Sequence, residues 1–343
     1  MLIQDIVHID KSADFRSDVR LTSFYEPETN LALLRSYLFS SQAPEGQMAS
    51  LEMLNIALER FLSPNLENRL LLIANYGHGK SHLALIMANY FAQPPESEAF
   101  RIIGEKIRNA ARDGAAAQRF IEFKMTRPRH LVLILSGDRP IPLRQAFLQA
   151  MNEALQQYPE TQSAQPPLWF DKALQWLSEK VAANLDWKKR AESFLDSQYR
   201  MNLDQLQQRL KERDSGMFEV CRSLFRDLTG AAPDFGAEVA LADILDWLVD
   251  EFCTEGKPFD GLLILFDEFS LFLDRYYQSS AAGDLQDLLN GVDKHRGRAV
   301  FLALAQHDPD SLLNFRARSR PNDPKIEEVR KELTRIPSNA RKV

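Results

Sequence analysis

Four short stretches of the chain are nearly continuous in apolar residues: LLLIA at 70–74, HLVLILSGD at 130–138, GLLILF at 261–266 and AVFLALAQ at 299–306. Runs of this kind, rather than strict alternation, predict strands buried on both faces. Between them the apolar period is helical. Leu51, Leu54, Leu58, Phe61 and Leu62 fall on one face of a helix that SPNLENR ends. Residues 80–92 read as an amphipathic helix with Leu83, Met87, Tyr90 and Phe91 on one face, stopped by Gln93-Pro94-Pro95. LALLRSYLF (31–39) predicts a short helix, and 97–126 a helical, locally basic stretch. Further helices are expected from about 143 to 157, through Leu285, Leu288, Leu289 and Val292, and near 324–334.

Residues 160–256 break this rhythm. They hold no strand-like run, keep helical periodicity throughout, and carry all four tryptophans. Strands separated by helices predict an α/β fold with a mainly parallel sheet flanked by helices on both faces, here with a helical insertion. The expected organisation is an N-terminal helical segment (1–66), a core from 67–158 and 257–310, the insertion at 159–256, and a charged C-terminal segment (311–343). Ligands in such sheets sit at the carboxyl ends of the strands, and the polar constellations singled out below all lie there.

Composition narrows the class without deciding it. The chain has 343 residues, 45% hydrophobic and 26% charged, with a net charge of −6. That balance argues against a whole-protein polyanion binder while leaving room for a local basic face. The two cysteines, Cys221 and Cys253, form no CxxC pair, so neither a disulfide framework nor a zinc site is expected, and a reducing, cytoplasmic location fits. The first residues, MLIQDIVHIDKSADFR, do not read as a signal peptide. No run approaches the roughly 20 apolar residues that span a bilayer, so no membrane partner is expected.

The first strand runs into Ala74-Asn75-Tyr76-Gly77-His78-Gly79-Lys80-Ser81. This matches the phosphate-binding loop G-x-x-x-x-G-K-[ST] except that alanine holds the first position. Gly77 and Gly79 let the backbone curl so that consecutive N–H groups point at a polyanion. The helix that follows adds its positive end. Lys80 reaches β- and γ-phosphates and Ser81 offers its hydroxyl to Mg²⁺. Asn75, Tyr76, His78 and His82 complete the candidate nucleotide-binding set, the two histidines either touching phosphate or only flanking it. The plainer alternative is a glycine turn leading into a helix.

LLILFDEF places Asp267 and Glu268 together at the end of an apolar strand, where paired carboxylates are costly without partners or a task. Beside a phosphate-binding loop, Asp267 would hold the Mg²⁺ shell and Glu268 would act as base toward water. A solvated acidic turn is the bland reading. AVFLALAQ ends in Gln306, the candidate for orienting the attacking water, with His307 as the alternative and a simple capping role equally open.

In order and spelling, Ala74 to Leu85 together with LLILFDEF and AVFLALAQ resembles the additional-strand P-loop ATPases of AAA+/STAND type. NYGHGKSHLAL, with Glu67-Asn68-Arg69 before it, more narrowly resembles the large ATPases of bacterial phage-exclusion systems, BrxC and PglY of the BREX and Pgl type. Related ATPases accompany phosphorothioate DNA-modification systems. The resemblance spans about 50–93 and 261–306. It implies a P-loop NTPase core, ATP and Mg²⁺ as ligands, and ATP hydrolysis that is slow or partner-dependent. It also implies a place in an anti-phage defence or DNA modification complex, with other defence proteins as partners, homo-oligomerisation, and DNA met directly or through partners. A nucleotide-gated signalling or assembly switch is the alternative. Family members are often much longer, so the resemblance leads one to expect a reduced lid or a longer parent protein. An arginine finger would come from a neighbouring subunit, with Arg316, Arg318 and Arg320 as candidates by position.

Overall fold

The apolar runs form strands β1 (Arg69–Ile73), β2 (Leu131–Ser136), β3 (Leu262–Asp267) and β4 (Ala299–Ala305). The computed structural model describes residues 19–43, 45, 47–74, 79–111, 114–233, 235, 239–276, 283–307, 330 and 341–342. All strand pairs are parallel, in the order β2-β3-β4-β1, and a two-residue strand β5 (Arg341–Lys342) lies beside β1. Strand β4, last of the main four in the chain, therefore sits between β1 and β3. Its register pairs Leu302 with both Leu70 and Leu265.

The helices follow in chain order. A 3-10 turn (Leu21–Tyr25) precedes α1 (Pro27–Ser36), α2 (Ser50–Leu62), α3 (Lys80–Ala92), α4 (Glu98–Ala110) and α5 (Gly114–Thr126). These five pack on one face of the sheet, against Leu72, Ile134, Leu265 and Leu302 among others. The opposite face, with Leu71, Leu133, Phe266 and Phe301, packs on α6 (Leu143–Gln156), α11 (Leu241–Phe252), α12 (Phe269–Tyr276) and α13 (Asp284–Lys294). Successive strand residues point to opposite faces. Because both faces are covered, both sets must be apolar, and the strands read as unbroken runs.

Between α6 and α11 lie α7 (Pro167–Trp176), α8 (Leu185–Tyr199), α9 (Leu203–Lys211) and α10 (Ser215–Thr229), with a π-helical turn, Leu177–Val181, after α7. They enclose a third buried cluster of their own, which includes Ala173, Leu195, Leu206 and Leu224. Strong caps mark these helices. Asn184 accepts from two backbone N–H groups of α8, and Asn202 and Gln205 form a reciprocal box at α9.

Three expectations change. Helix α11 falls within the expected insertion, yet its buried residues Ile244, Leu245 and Leu248 join the sheet cluster; the insertion's own core ends with α10. The 97–126 stretch is helical as expected, in the two helices α4 and α5. Helix α3 is not amphipathic: Leu85, Ile86, Met87, Ala88 and Asn89 are all buried, because α3 is enclosed on every side. At α2, Leu62 is 49% exposed and lies off the buried face. The helix expected near 324–334 lies outside the described residues apart from Arg330, and Arg316, Arg318 and Arg320 lie outside them. Among the described residues no helix is long and apolar enough to cross a membrane.

Candidate functional site

A cleft of about 720 Å³ opens at the carboxyl ends of β2 and β3, beside the first turn of α3. Gly79, Lys80, Ser81, Asp267 and Glu268 all line it. Of the expected loop residues, Asn75, Tyr76, Gly77 and His78 lie outside the described residues. Gly79 adopts φ +73°, the left-handed conformation that glycine takes without steric cost, and it caps α3.

Ala74 stands where the loop pattern has its first glycine, and it acts through its main chain. Its N–H donates to the Ala305 carbonyl at 3.1 Å, continuing the ladder to β4. Its carbonyl accepts from Lys80 Nζ at 2.7 Å. Among the described residues only Arg200, Arg213 and Glu268 are non-glycines with positive φ, so Ala74 has an ordinary backbone and no need of glycine there.

Lys80 is buried, and burial pushes its ammonium pKa down, partly offset by Glu268 and Asp267. Asp267 is 6% exposed, and burial raises its carboxyl. Two donors hold its ionised form: the Ser81 hydroxyl, and the Glu268 N–H to Oδ1 at 2.9 Å. Ser81 and Asp267 thus line the same cleft although β4 separates their strands. A hydroxyl and a carboxylate facing one cleft are hard oxygen donors of the kind that hold Mg²⁺.

Glu268 has φ +52°, a conformation strained for any side-chain-bearing residue. Its carbonyl accepts from Leu271 and Phe272 N–H at 3.0 and 3.1 Å, starting α12. Its Oε2 accepts from Gln306 Nε2 at 2.9 Å. Burial, then the neighbouring Asp267, raise its pKa above the ordinary glutamate value. At the end of β4 it is Gln306, not His307, whose side chain reaches the acid. Ser270 Oγ accepts from the N–H groups of Gln306 (2.9 Å) and His307 (3.2 Å), and so fixes that strand end.

His82 also lines the cleft, with its ring nitrogen engaged by the main chain of α1. Its Nε2 meets the Leu33 carbonyl at 2.7 Å and its ring packs edge-on against Tyr37. Burial lowers its pKa. It joins α3 to α1.

Three contributors escaped the sequence reading. Gly137, after β2, approaches so closely that an added Cβ would lie 2.2 Å from the Glu268 carbonyl oxygen. Its N–H donates to the Asp267 carbonyl at 2.9 Å. Arg275 on α12 donates to the Gly137 and Asp138 carbonyls at 3.0 and 2.8 Å. Ser270 is the third. The glycine of SGDRP at a strand end was the one visible signal; the other two depend on tertiary contacts. Neither a protein-family model nor a curated protein sequence matches the chain.

Proposed function

We propose that this chain binds ATP with Mg²⁺ and hydrolyses it. The observation that carries the reading is the meeting of three strand ends: Lys80 and Ser81 after β1 line one cleft with Asp267 and Glu268 at the end of β3, and Gln306 at the end of β4 hydrogen-bonds Glu268. The order β2-β3-β4-β1, with one strand between the loop-bearing and acid-bearing strands, supports an additional-strand P-loop core.

In this reading the triphosphate lies against the N-terminal turn of α3, where free N–H groups and the helix dipole favour anions. Lys80 leaves the Ala74 carbonyl for phosphate oxygens. Mg²⁺, held by Ser81 and Asp267, would neutralise charge on the phosphates. Glu268, with its raised proton affinity, takes a proton from water while Gln306 holds that water in line. The water oxygen bonds to the γ-phosphorus as the bond to the bridging oxygen breaks, and ADP leaves with the electron pair. The loop and strand spellings support placing this activity in an anti-phage defence or DNA modification complex. The switch alternative draws on the Gln306–Glu268 bond, which engages one oxygen of the base.

The test is ATP turnover by the purified chain with and without duplex DNA. Glu268→Gln is expected to bind ATP while turnover falls about 10²–10³-fold. Normal hydrolysis by that variant would assign the base elsewhere. Stimulation by DNA favours the DNA-linked reading; indifference to DNA with ATP-driven oligomerisation favours the switch.

A further inference from the structure

The cleft is lined by two arginines that the scheme above leaves unused, Arg20 and Arg139, and only Arg139 sits on the turn held to the acid pair. Arg139 lines it together with Lys80, Ser81, Asp267 and Glu268. Its side chain is exposed, and it forms no hydrogen bond or ion pair among the described residues. Three acids, Asp138, Asp267 and Glu268, line the same cleft. Asp138 is turned to Ser136, whose hydroxyl donates to its Oδ1 at 2.7 Å.

The backbone that carries Arg139 is held to the acid pair. Gly137 is fastened to Asp267 by its N–H and has no room for a side chain against Glu268. The carbonyls of Gly137 and Asp138 are both clamped by Arg275. The turn from Ser136 to Arg139 is therefore registered to the groups proposed to hold metal and water, while the guanidinium at its end has no partner among the described residues. An anion entering this cleft meets a buried, a half-buried and an exposed carboxyl group, Asp267, Glu268 and Asp138, set against the cations Lys80, Arg20 and Arg139. A guanidinium is always ionised, and its planar fork suits phosphate oxygens.

Resting on the ATPase reading, we infer that Arg139 is a catalytic residue supplied by the chain itself, contacting the γ-phosphoryl oxygens as charge spreads over them in the transition state. The site then carries its own arginine rather than depending for it on a neighbouring subunit.

The experiment compares wild type, Arg139→Ala, Arg139→Lys, Lys80→Ala and Glu268→Gln by steady-state turnover and by binding of ADP with aluminium fluoride, a mimic of the transferring phosphoryl group. Arg139→Ala is expected to lower kcat about 10³-fold with ATP affinity changed less than about threefold. Its affinity for the fluoride mimic should fall in parallel. Arg139→Lys should recover part of the rate, since it restores charge without the fork. Thermal unfolding should be unchanged, because the side chain has no partner among the described residues to lose. Turnover that requires Lys80 and Glu268 yet survives Arg139→Ala, with mimic binding intact, would overturn the role of Arg139 and leave the ATPase reading standing. A wild-type chain that binds neither ATP nor the mimic would remove both.

Discussion

At the scale of single residues, Glu268 combines a strained backbone with a costly side chain. Left-handed φ at a non-glycine costs about 1–2 kcal/mol, and its carboxyl is pushed toward neutrality by burial and by Asp267. Both penalties fall where the chemistry is proposed, a pattern typical of functional sites. The backbone cost can be separated from the side chain: Glu268→Gly should be more stable than Glu268→Ala by about 1 kcal/mol in urea denaturation. Equal stabilities would mean the turn relaxes when the carboxylate goes. This strain was invisible in the sequence. LLILFDEF announces an acidic strand end, but a φ angle is set by the β3–α12 turn and by the closeness of Gly137, more than a hundred residues earlier in the chain. Lys80, Ser81 and the acid pair were legible because their spacing to a strand and a helix is local. His82 was ambiguous because its partner, the Leu33 carbonyl, is remote.

At the scale of elements, α12 and β4 are joined by one hydroxyl. Ser270 Oγ takes two N–H donors and itself donates to the His307 carbonyl at 3.3 Å. Ser270→Ala would leave those groups unpaired, at a cost of about 1–3 kcal/mol, and loosen Gln306 from Glu268. Turnover should fall by about tenfold with ATP affinity nearly kept; a loss of stability at full turnover would confine Ser270 to a structural part.

Helix α5 carries a different tension. Lys124 is fully buried, lies over the Tyr90 and Phe100 rings, and donates to the Phe91 carbonyl at 3.0 Å. Burial lowers its pKa from 10.5 to about 7. Between those values the unfolded chain binds the extra proton, so stability rises as pH climbs from about 7 toward 10.5. Lys124→Met should abolish that rise and stabilise the fold by about 1–4 kcal/mol at pH 6. The Phe91 carbonyl stays paired, since it also accepts from the His130 N–H at 2.9 Å. Urea denaturation at pH 6 and pH 9 decides; an unchanged pH slope would locate the titration in another group, such as the wholly buried His130. Elements with one dominant period were legible, as the four strands and α6 attest. The enclosure of α3 and the attachment of α11 to the sheet were not, because burial on all sides is a property of neighbours.

At the scale of the molecule, the sheet clusters and the insertion cluster are separate bodies of apolar side chains, in contact through Trp169, which packs against one sheet cluster and the insertion cluster. Trp176 and Trp187 belong to the insertion, Trp247 to the sheet face. Cooperative units tend to coincide with such cores. Denaturant unfolding followed by tryptophan fluorescence should show two transitions, with Trp247→Phe diminishing only the one shared with ATP binding. A single coincident transition with every probe would mean the Trp169 contact couples the two cores fully. The third core was legible only as a strand-free, tryptophan-rich region; its limit at α10 needed the tertiary contacts.

The place of β4 has a consequence for synthesis. The ribosome delivers the loop-bearing strand first and the acid-bearing strand much later, yet the strand that sits between them in the sheet emerges last of the main four. Until residue 305 is made, β1 has no neighbour through which to reach β3, and Gln306 does not exist. A nascent chain can therefore carry the segment after β1 and both acids without having a cleft, and the site comes into being only as the central strand slots into place.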